Sequence, residues 1–224
     1  MSEFLENIQK KYTFYINLTQ RTDRCSHVKK ELQKMNIEGE RFSAIKTSNG
    51  AIGCTLSHIK CIELAKEKKY PYVFICEDDI TFLNPNELKE KINKFGNTEE
   101  LMNIFDVLII GGNNCPPYRI ITDFCIQISN CQTTTGYIVS NRYYDTLLSN
   151  FKESATELLR NPNKKKEYAL DIYWKKLQKE GKWFMIYPPS VIQYANYSNI
   201  ENRKTNYEGL MLDLNKEWLF GDNK

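Results

Sequence analysis

The sequence predicts a layered α/β fold with a mostly parallel central sheet. Three observations carry this reading. Two unbroken apolar runs of strand length, 72–76 and 107–110, suit central strands covered on both faces. Between such runs lie helical patterns, of which Ile52, Leu56, Ile59, Ile62 and Ala65 at three- or four-residue spacing are the clearest. Strands and helices alternate along the chain, and that order favours helices packed on a parallel sheet.

Element by element, residues 12–16 read as a buried first strand, 17–24 as a polar loop and 25–35 as a helix. A short second strand is expected over 40–45. Ser48, Asn49 and Gly50 then turn the chain into the amphipathic helix, which Pro71 ends. The strand over 72–76 is followed by a helix that Pro85 opens and that runs to about Phe95. Gly111 and Gly112 are expected to stop the strand over 107–110. A hairpin region covers 120–128, a short strand 136–139 and a helix 142–151. A single helix over 168–180 should end at Gly181, and a last strand over 184–187 at Pro188 and Pro189. From Ser198 onward no periodicity stands out, and there is no internal repeat. The organisation expected is an N-terminal extension (1–11), one domain (12–200) and a C-terminal tail (201–224).

Composition narrows the function classes. The 224 residues suit one compact domain, and 41% hydrophobic content excludes a disordered chain. A net charge of +3, from 31 basic and 28 acidic groups, gives no reason to expect nucleic acid. The basic run at Lys164, Lys165 and Lys166 reads as a solvated loop. The start lacks a basic segment followed by an apolar one, and no apolar run approaches the ~18 residues of a membrane span. No transmembrane segment and a cytoplasmic location are therefore expected. Seven cysteines without a secretory leader argue against a disulfide framework. No zinc site is expected, because close ligand pairs are missing along the chain. Cys54, Cys61 and Cys76 read as small core residues.

In parallel sheets ligands bind beyond the carboxyl ends of the strands, which points to the loops after Ile16, Cys76 and Ile110. Glu77, Asp78 and Asp79 follow the most hydrophobic strand directly. Their mutual repulsion needs an offset, and a hard divalent cation provides one through oxygen ligands. Alternation along an extended chain would put Glu77 and Asp79 on one side, with Asp78 pointing elsewhere. A solvated turn or a helix cap is the plainer alternative.

Several segments then add up to a family resemblance. Residues 16–24, with Ile16, Asn17, Leu18, Arg21 and Arg24, resemble the opening segment of glycosyltransferase family 25. Residues 50–58, with Gly50, Gly53, Cys54, Ser57 and His58, resemble its Gly-x-x-Gly-Cys-x-x-Ser-His segment. Residues 74–79 resemble its Glu-Asp-Asp strand end. Thr135, Gly136, Tyr137 and Ser140 match a later stretch, Asp171 an aspartate before an apolar helix, and Pro189 and Gln193 a closing segment. The resemblance runs in order over about residues 12–200.

The resemblance implies a GT-A-type, Rossmann-like layered fold and a sugar nucleotide donor, UDP-linked. It also implies Mn2+ (or Mg2+) and inversion at the anomeric carbon. The acceptor it implies is a glycan, as in lipopolysaccharide biosynthesis, or hydroxylysine. Glu77 and Asp79 are then the metal ligands. Asn17 and Leu18 hold base or ribose by backbone groups, Arg21 pairs with a phosphate or lies on the base, and Arg24 is a weaker donor contact. Asp23 caps the following helix. Ala44 lines the base pocket, and Ser57, His58, Asp78 and Gln193 contact the donor. Thr134, Thr135 and Gly136 line the acceptor or sugar pocket. Trp174 and Trp183 offer a sugar-stacking wall, although packing is their default. Asp171 is the general base: an inverting transfer needs one carboxylate to take the acceptor's proton, and apolar flanks raise its pKa.

One departure stands out. No histidine follows His58, so a third metal ligand falls to Asn196, Asn199, an acid or water. A nucleotidyltransferase would want a glycine-rich triphosphate loop after the first strand, and 17–24 has no glycine. A glycoside hydrolase needs no nucleotide pocket. A non-catalytic carbohydrate binder on a decayed transferase fold sits poorly with intact Glu77, Asp79 and Asp171.

Overall fold

A computed structural model describes residues 1–198, 200 and 203–217. The chain runs through α1 (Glu3–Lys10), β1 (Thr13–Asn17), α2 (Thr22–Lys34), β2 (Glu40–Ser43) and α3 (Gly50–Glu67). Next come β3 (Tyr72–Glu77), β4 (Ile80–Phe82), α4 (Pro85–Gly96), α5 (Glu99–Met102), β5 (Val107–Asn114), β6 (Tyr118–Thr122), β7 (Cys125–Ile128) and β8 (Cys131–Ser140). After them follow α6 (Tyr144–Arg160), the one-turn helices α7 (Lys165–Tyr168), α8 (Leu170–Tyr173) and α9 (Lys175–Gln178), and β9 (Trp183–Ile186). The last elements are β10 (Val191–Gln193), β11 (Asn196–Ser198), β12 (Arg203–Thr205) and α10 (Glu208–Leu212).

Eight strands form one sheet in the order β2-β1-β3-β8-β5-β9-β7-β6. β1 is parallel to β2 and β3, and β5 to β9. β8 runs antiparallel between β3 and β5, and β7 antiparallel between β9 and β6. β2, β1, β3, β5, β9 and β6 therefore share one direction, and the expected mostly parallel sheet holds in that sense.

The pleat sorts side chains onto two faces with period two. Phe74 and Cys76 of β3, Leu108 and Ile110 of β5 and Ile138 of β8 join the core under α1, α2 and α4. Val73 and Ile75, Val107 and Ile109, and Tyr137 and Val139 join the core under α3 and α6. Strands buried on both faces read as continuous apolar runs, which is why β3 and β5 were legible as strands. Two glycines serve close approaches. A Cβ on Gly53 would sit 2.4 Å from the Ile45 carbonyl oxygen, so α3 can lie against the 44–46 segment only without one. A Cβ on Gly136 would meet Ile80 at 2.9 Å and Phe74 at 3.2 Å.

Four expectations change. β5 does not stop at Gly111 but continues to Asn114, because its ladder with β8 resumes after register shifts at 109/111 and 111/113. The expected helix over 168–180 is broken into one-turn pieces. Ala169 is extended (φ −56°, ψ 144°), which lets Leu170 and Trp174 reach the core. The expected extension carries α1, whose Phe4, Leu5 and Ile8 are buried against the sheet. The expected tail carries β12, paired with β11, and α10, with Met211, Leu214 and Lys216 buried. No helix among the described residues is long and apolar enough to cross a membrane.

Phe4 tests whether α1 belongs to the core. Its ring lies 4.6 Å from that of Tyr72 and 5.9 Å from that of Phe105. Phe4→Ala should cost about 3–5 kcal/mol in urea unfolding, as for other buried phenylalanines. An unchanged midpoint would show that α1 is peripheral.

Candidate active site

A cleft of about 520 Å³ opens at the carboxyl ends of β1, β3 and β5. Because β8 is antiparallel, its first residues, Gln132, Thr133 and Thr134, reach the same end. The other walls are Leu18 and Arg21 after β1, Arg24 on α2, Ala44 to Lys46 after β2, and Gly53, Cys54, Ser57 and His58 on α3. Lys165, Lys166 and Asp171 close one side, and Gln193, Thr205, Tyr207 and Leu210 another.

The floor is acidic. Asp78 and Asp79 leave β3 in a tight turn, so strand alternation ends at Glu77. Both aspartates then meet the same guanidinium: Arg24 Nη1 lies 2.9 Å from Asp78 Oδ1 and 2.9 Å from Asp79 Oδ2. Asp78 therefore does not point away from Asp79, as strand alternation would have it. Arg24 is the partly buried counter-ion of the acidic turn, and its Nη2 also donates to the Tyr197 carbonyl. Asn17 Nδ2 donates to Asp78 Oδ2 at 2.7 Å. Burial pushes the Asp79 carboxyl up to about 7, helped by the Glu77 charge and opposed by Arg24. Burial raises Asp78 as well, with Arg24 and Asn17 opposing. Asp79 Oδ1 is buried without a hydrogen-bond partner.

Glu77 turns the other way. Thr134 Oγ1 donates to its Oε1, and His58 Nε2 lies 3.5 Å from the same atom. Burial works against its charge, but His58, Thr134 and Arg24 outweigh it, and the carboxyl lies below its ordinary value. His58 is fully buried, with Nδ1 3.0 Å from the Tyr137 hydroxyl. Cys54, one helical turn before it, brings Sγ to 4.0 Å from Glu77 Oε1. Burial and the neighbouring acids push the Cys54 thiol well up. Cys54, His58 and Glu77 thus form a cluster that counting ligand pairs along the chain overlooked.

Asp171 enters from α8, half-buried in the cleft wall. Its Oδ2 accepts the Thr133 backbone N–H at 3.0 Å. Burial raises its pKa against that bond, and the Glu77 charge raises it further. Thr133 has φ 76°, the left-handed region that a β-branched side chain rarely adopts. Such strain costs on the order of 1–3 kcal/mol and gathers at functional sites. Here it turns an N–H toward the Asp171 carboxylate.

Of the residues singled out from sequence, Leu18, Arg21, Arg24, Ala44, Ser57, His58, Glu77, Asp78, Asp79, Thr134, Asp171 and Gln193 line this one cleft. Asn17 does not. Its carbonyl accepts the Ala44 N–H and its side chain braces Asp78, so it shapes the floor from behind. Thr135 and Gly136 also miss the cleft. Thr135 is fully buried near Gly111, and Gly136 pairs with Cys76, one residue deeper in the sheet than Glu77. Ser57 lines the wall, but its hydroxyl is engaged by the Gly53 carbonyl and the Ile45 N–H. Asp23 does not cap α2; it takes two bonds from Arg21, which also donates to the Tyr197 carbonyl. Trp174 and Trp183 are wholly buried, 5.1 Å apart, and form no wall for a sugar. Asn196 Oδ1 accepts the Tyr197 N–H, and Asn199 lies outside the described residues. Sequence reasoning missed Gln132, Thr133, Asn113 and the lysines of the 164–166 run, two of which stand on the rim.

Comparison with known proteins agrees with the fold. The structure resembles the crystal structure of a glycosyltransferase involved in the glycosylation of the major capsid of PBCV-1. The TM-score is 0.51 at 10% identity, over 77% of this chain and 79% of that one. A weaker likeness, TM-score 0.38 at 13% identity, extends to A197 from STIV over 82% and 83% of the two chains. The layered, Rossmann-like GT-A-type α/β fold expected is the one observed. In sequence, a Haemophilus influenzae (strain ATCC 51907 / DSM 11121 / KW20 / Rd) protein named "Putative glycosyltransferase" is 35% identical over a stretch covering 31% of this chain. That stretch is 32% of the relative, so the chain spans about a third of the length of the curated protein it matches. The model of "Glycosyltransferase family 25 (LPS biosynthesis protein)" matches residues 46–158, which carry α3, the acidic turn and the cleft end of β8. That match takes in just over half of the 224 residues, and the chain belongs to glycosyltransferase family 25.

Proposed function

We propose that the chain is a cation-dependent, inverting glycosyltransferase. It would move galactose or glucose from a UDP-sugar to a hydroxyl of a glycan or of hydroxylysine. The observation that carries this reading is the charge layout of the cleft. Asp78 and Asp79 share one guanidinium at the floor, with Glu77 beside them, below a rim bearing Arg21, Lys46, Lys165 and Lys166. A basic rim over an acidic floor suits an anionic diphosphate that arrives together with a cation.

The residues fit a hard divalent cation such as Mn2+ or Mg2+. Asp79 Oδ1 is buried and unpartnered, and carboxylate oxygen is the ligand these ions take. Glu77 and Asp79 would hold the ion, which supplies positive charge for the departing diphosphate when bound. The chain does the rest. Leu18 and the small Ala44 would wall the base. Arg21, whose planar fork suits phosphate, and the rim lysines orient the diphosphate. Thr134 holds Glu77 in place, and Thr133 holds Asp171. Asp171 takes the proton of the acceptor hydroxyl as its oxygen attacks the anomeric carbon. One displacement with one base inverts the configuration.

Turnover of UDP-galactose or UDP-glucose, read as released UDP, should require Mn2+ or Mg2+ and stop in chelator. Full activity in chelator would sink the cation reading.

Asp171→Asn should lower kcat on the order of 10²–10⁴-fold, the usual worth of a positioned base, and leave donor affinity nearly unchanged. The sign of the pH dependence follows from the raised pKa. A carboxylate acts as base only when ionised, so wild-type kcat/KM for the acceptor should fall as pH drops through a value above the ordinary aspartate range. The variant should lack that limb. A product of retained configuration by NMR would refute the single displacement.

A further inference from the structure

We propose that Cys54, His58 and Glu77 form a site for one thiophilic divalent cation, zinc by ligand preference, opening on the cleft. Cys54 and His58 are four residues apart on α3 and so share a helix face. Glu77 faces them from the end of β3. Their ligand atoms all lie within 4.8 Å of one another, with His58 Nε2 at 3.5 Å and Cys54 Sγ at 4.0 Å from Glu77 Oε1. Zinc bonds of about 2.0–2.3 Å in a tetrahedron place ligands roughly 3.3–3.8 Å apart, so only a small contraction is needed.

A second observation concerns the hydrogen bonding of His58. His58 is fully buried, yet its Nε2 has no hydrogen-bond partner. A ring nitrogen buried without a hydrogen bond is costly even with the Glu77 carboxylate 3.5 Å away, and a metal bond would satisfy it. The surroundings also match what metal-bound ligands require. Tyr137 engages the other ring nitrogen at 3.0 Å, and Thr134 donates to Glu77. Three protein ligands leave the fourth position facing the cleft, the arrangement of an open zinc site. Binding replaces the Cys54 S–H proton, released to solvent, with an S–metal bond. Sulfur and imidazole select zinc or cobalt over manganese and magnesium. The site shares Glu77 with the hard cation of the proposed transferase, so the two ions would compete, but its existence does not rest on that activity.

Cobalt titration of the full chain tests it, followed by competition with zinc. The wild type should take up one Co2+ with a thiolate-to-cobalt charge-transfer band that one equivalent of Zn2+ abolishes. Cys54→Ser should lose the band, and Cys54→Ser and Glu77→Gln should each weaken zinc binding more than about 100-fold. Loss of an outer partner alone costs ~10–100-fold. The variants lie on different elements, so one folded variant, checked by thermal unfolding, is enough. Wild-type protein without the band, or a folded variant that binds zinc as the wild type does, would overturn the site. Absence of manganese-supported turnover would count against the transferase reading and leave the cobalt result standing.

Discussion

The contact of Arg24 with Asp78 and Asp79 is the constraint on which the cleft depends. Three consecutive carboxylates at the end of a buried strand would repel one another and lose most of their hydration. One guanidinium from α2 answers two of them, each at 2.9 Å. A buried charge left without its partner costs about 3–5 kcal/mol, so this contact fixes α2 against the end of β3. Arg24 and Arg21 also both donate to the Tyr197 carbonyl. The same cation therefore ties β11, and with it the late part of the chain, to the acidic floor of the cleft.

With the acidic turn held from one side, the other side is set by β8. Its antiparallel entry between two parallel strands delivers Thr133 and Thr134 to the carboxyl end of the sheet. A parallel strand there would have presented its last residues instead. Thr134 takes Glu77, and Thr133 spends a strained φ to aim its N–H at Asp171. The broken α7–α9 segment is the matching half. Leu170 and Trp174, four residues apart, face the core together, and the extended Ala169 sets the direction of α8 so that Asp171 faces the cleft.

How much of this was legible follows from which signals are local. The double-faced burial of β3 and β5 writes itself as apolar runs, and the acidic triplet stands at the end of one of them. Asp171 was found because a family motif marked it. What escaped is tertiary. Nothing near Arg24 in sequence says that Asp78 and Asp79, more than fifty residues away, will claim it. Strand alternation assigned Asp78 and Asp79 to opposite sides, but it lapses where the strand becomes a turn. Thr135 and Gly136 share the Thr134 motif yet lie deeper in the sheet, a matter of register with β3 that the sequence does not carry. The C-x₃-H spacing of Cys54 and His58 was visible, but only the helix and the end of β3 make it a cluster with Glu77.

Glu77 links these pieces electrostatically. Its charge is sustained by His58, Thr134 and Arg24 and is felt by Asp79 and Asp171, both of which it pushes upward. The proton affinity of Asp171 is therefore not a property of its own pocket alone. Any positive charge that settles on Glu77 removes part of that upward push and favours the ionised Asp171. An added anion at the floor without a compensating cation would do the reverse. The acidic turn and Asp171 thus respond together to what occupies the cleft. They lie on separate elements, β3 and α8, and the charge of one carboxylate couples them across the open space between.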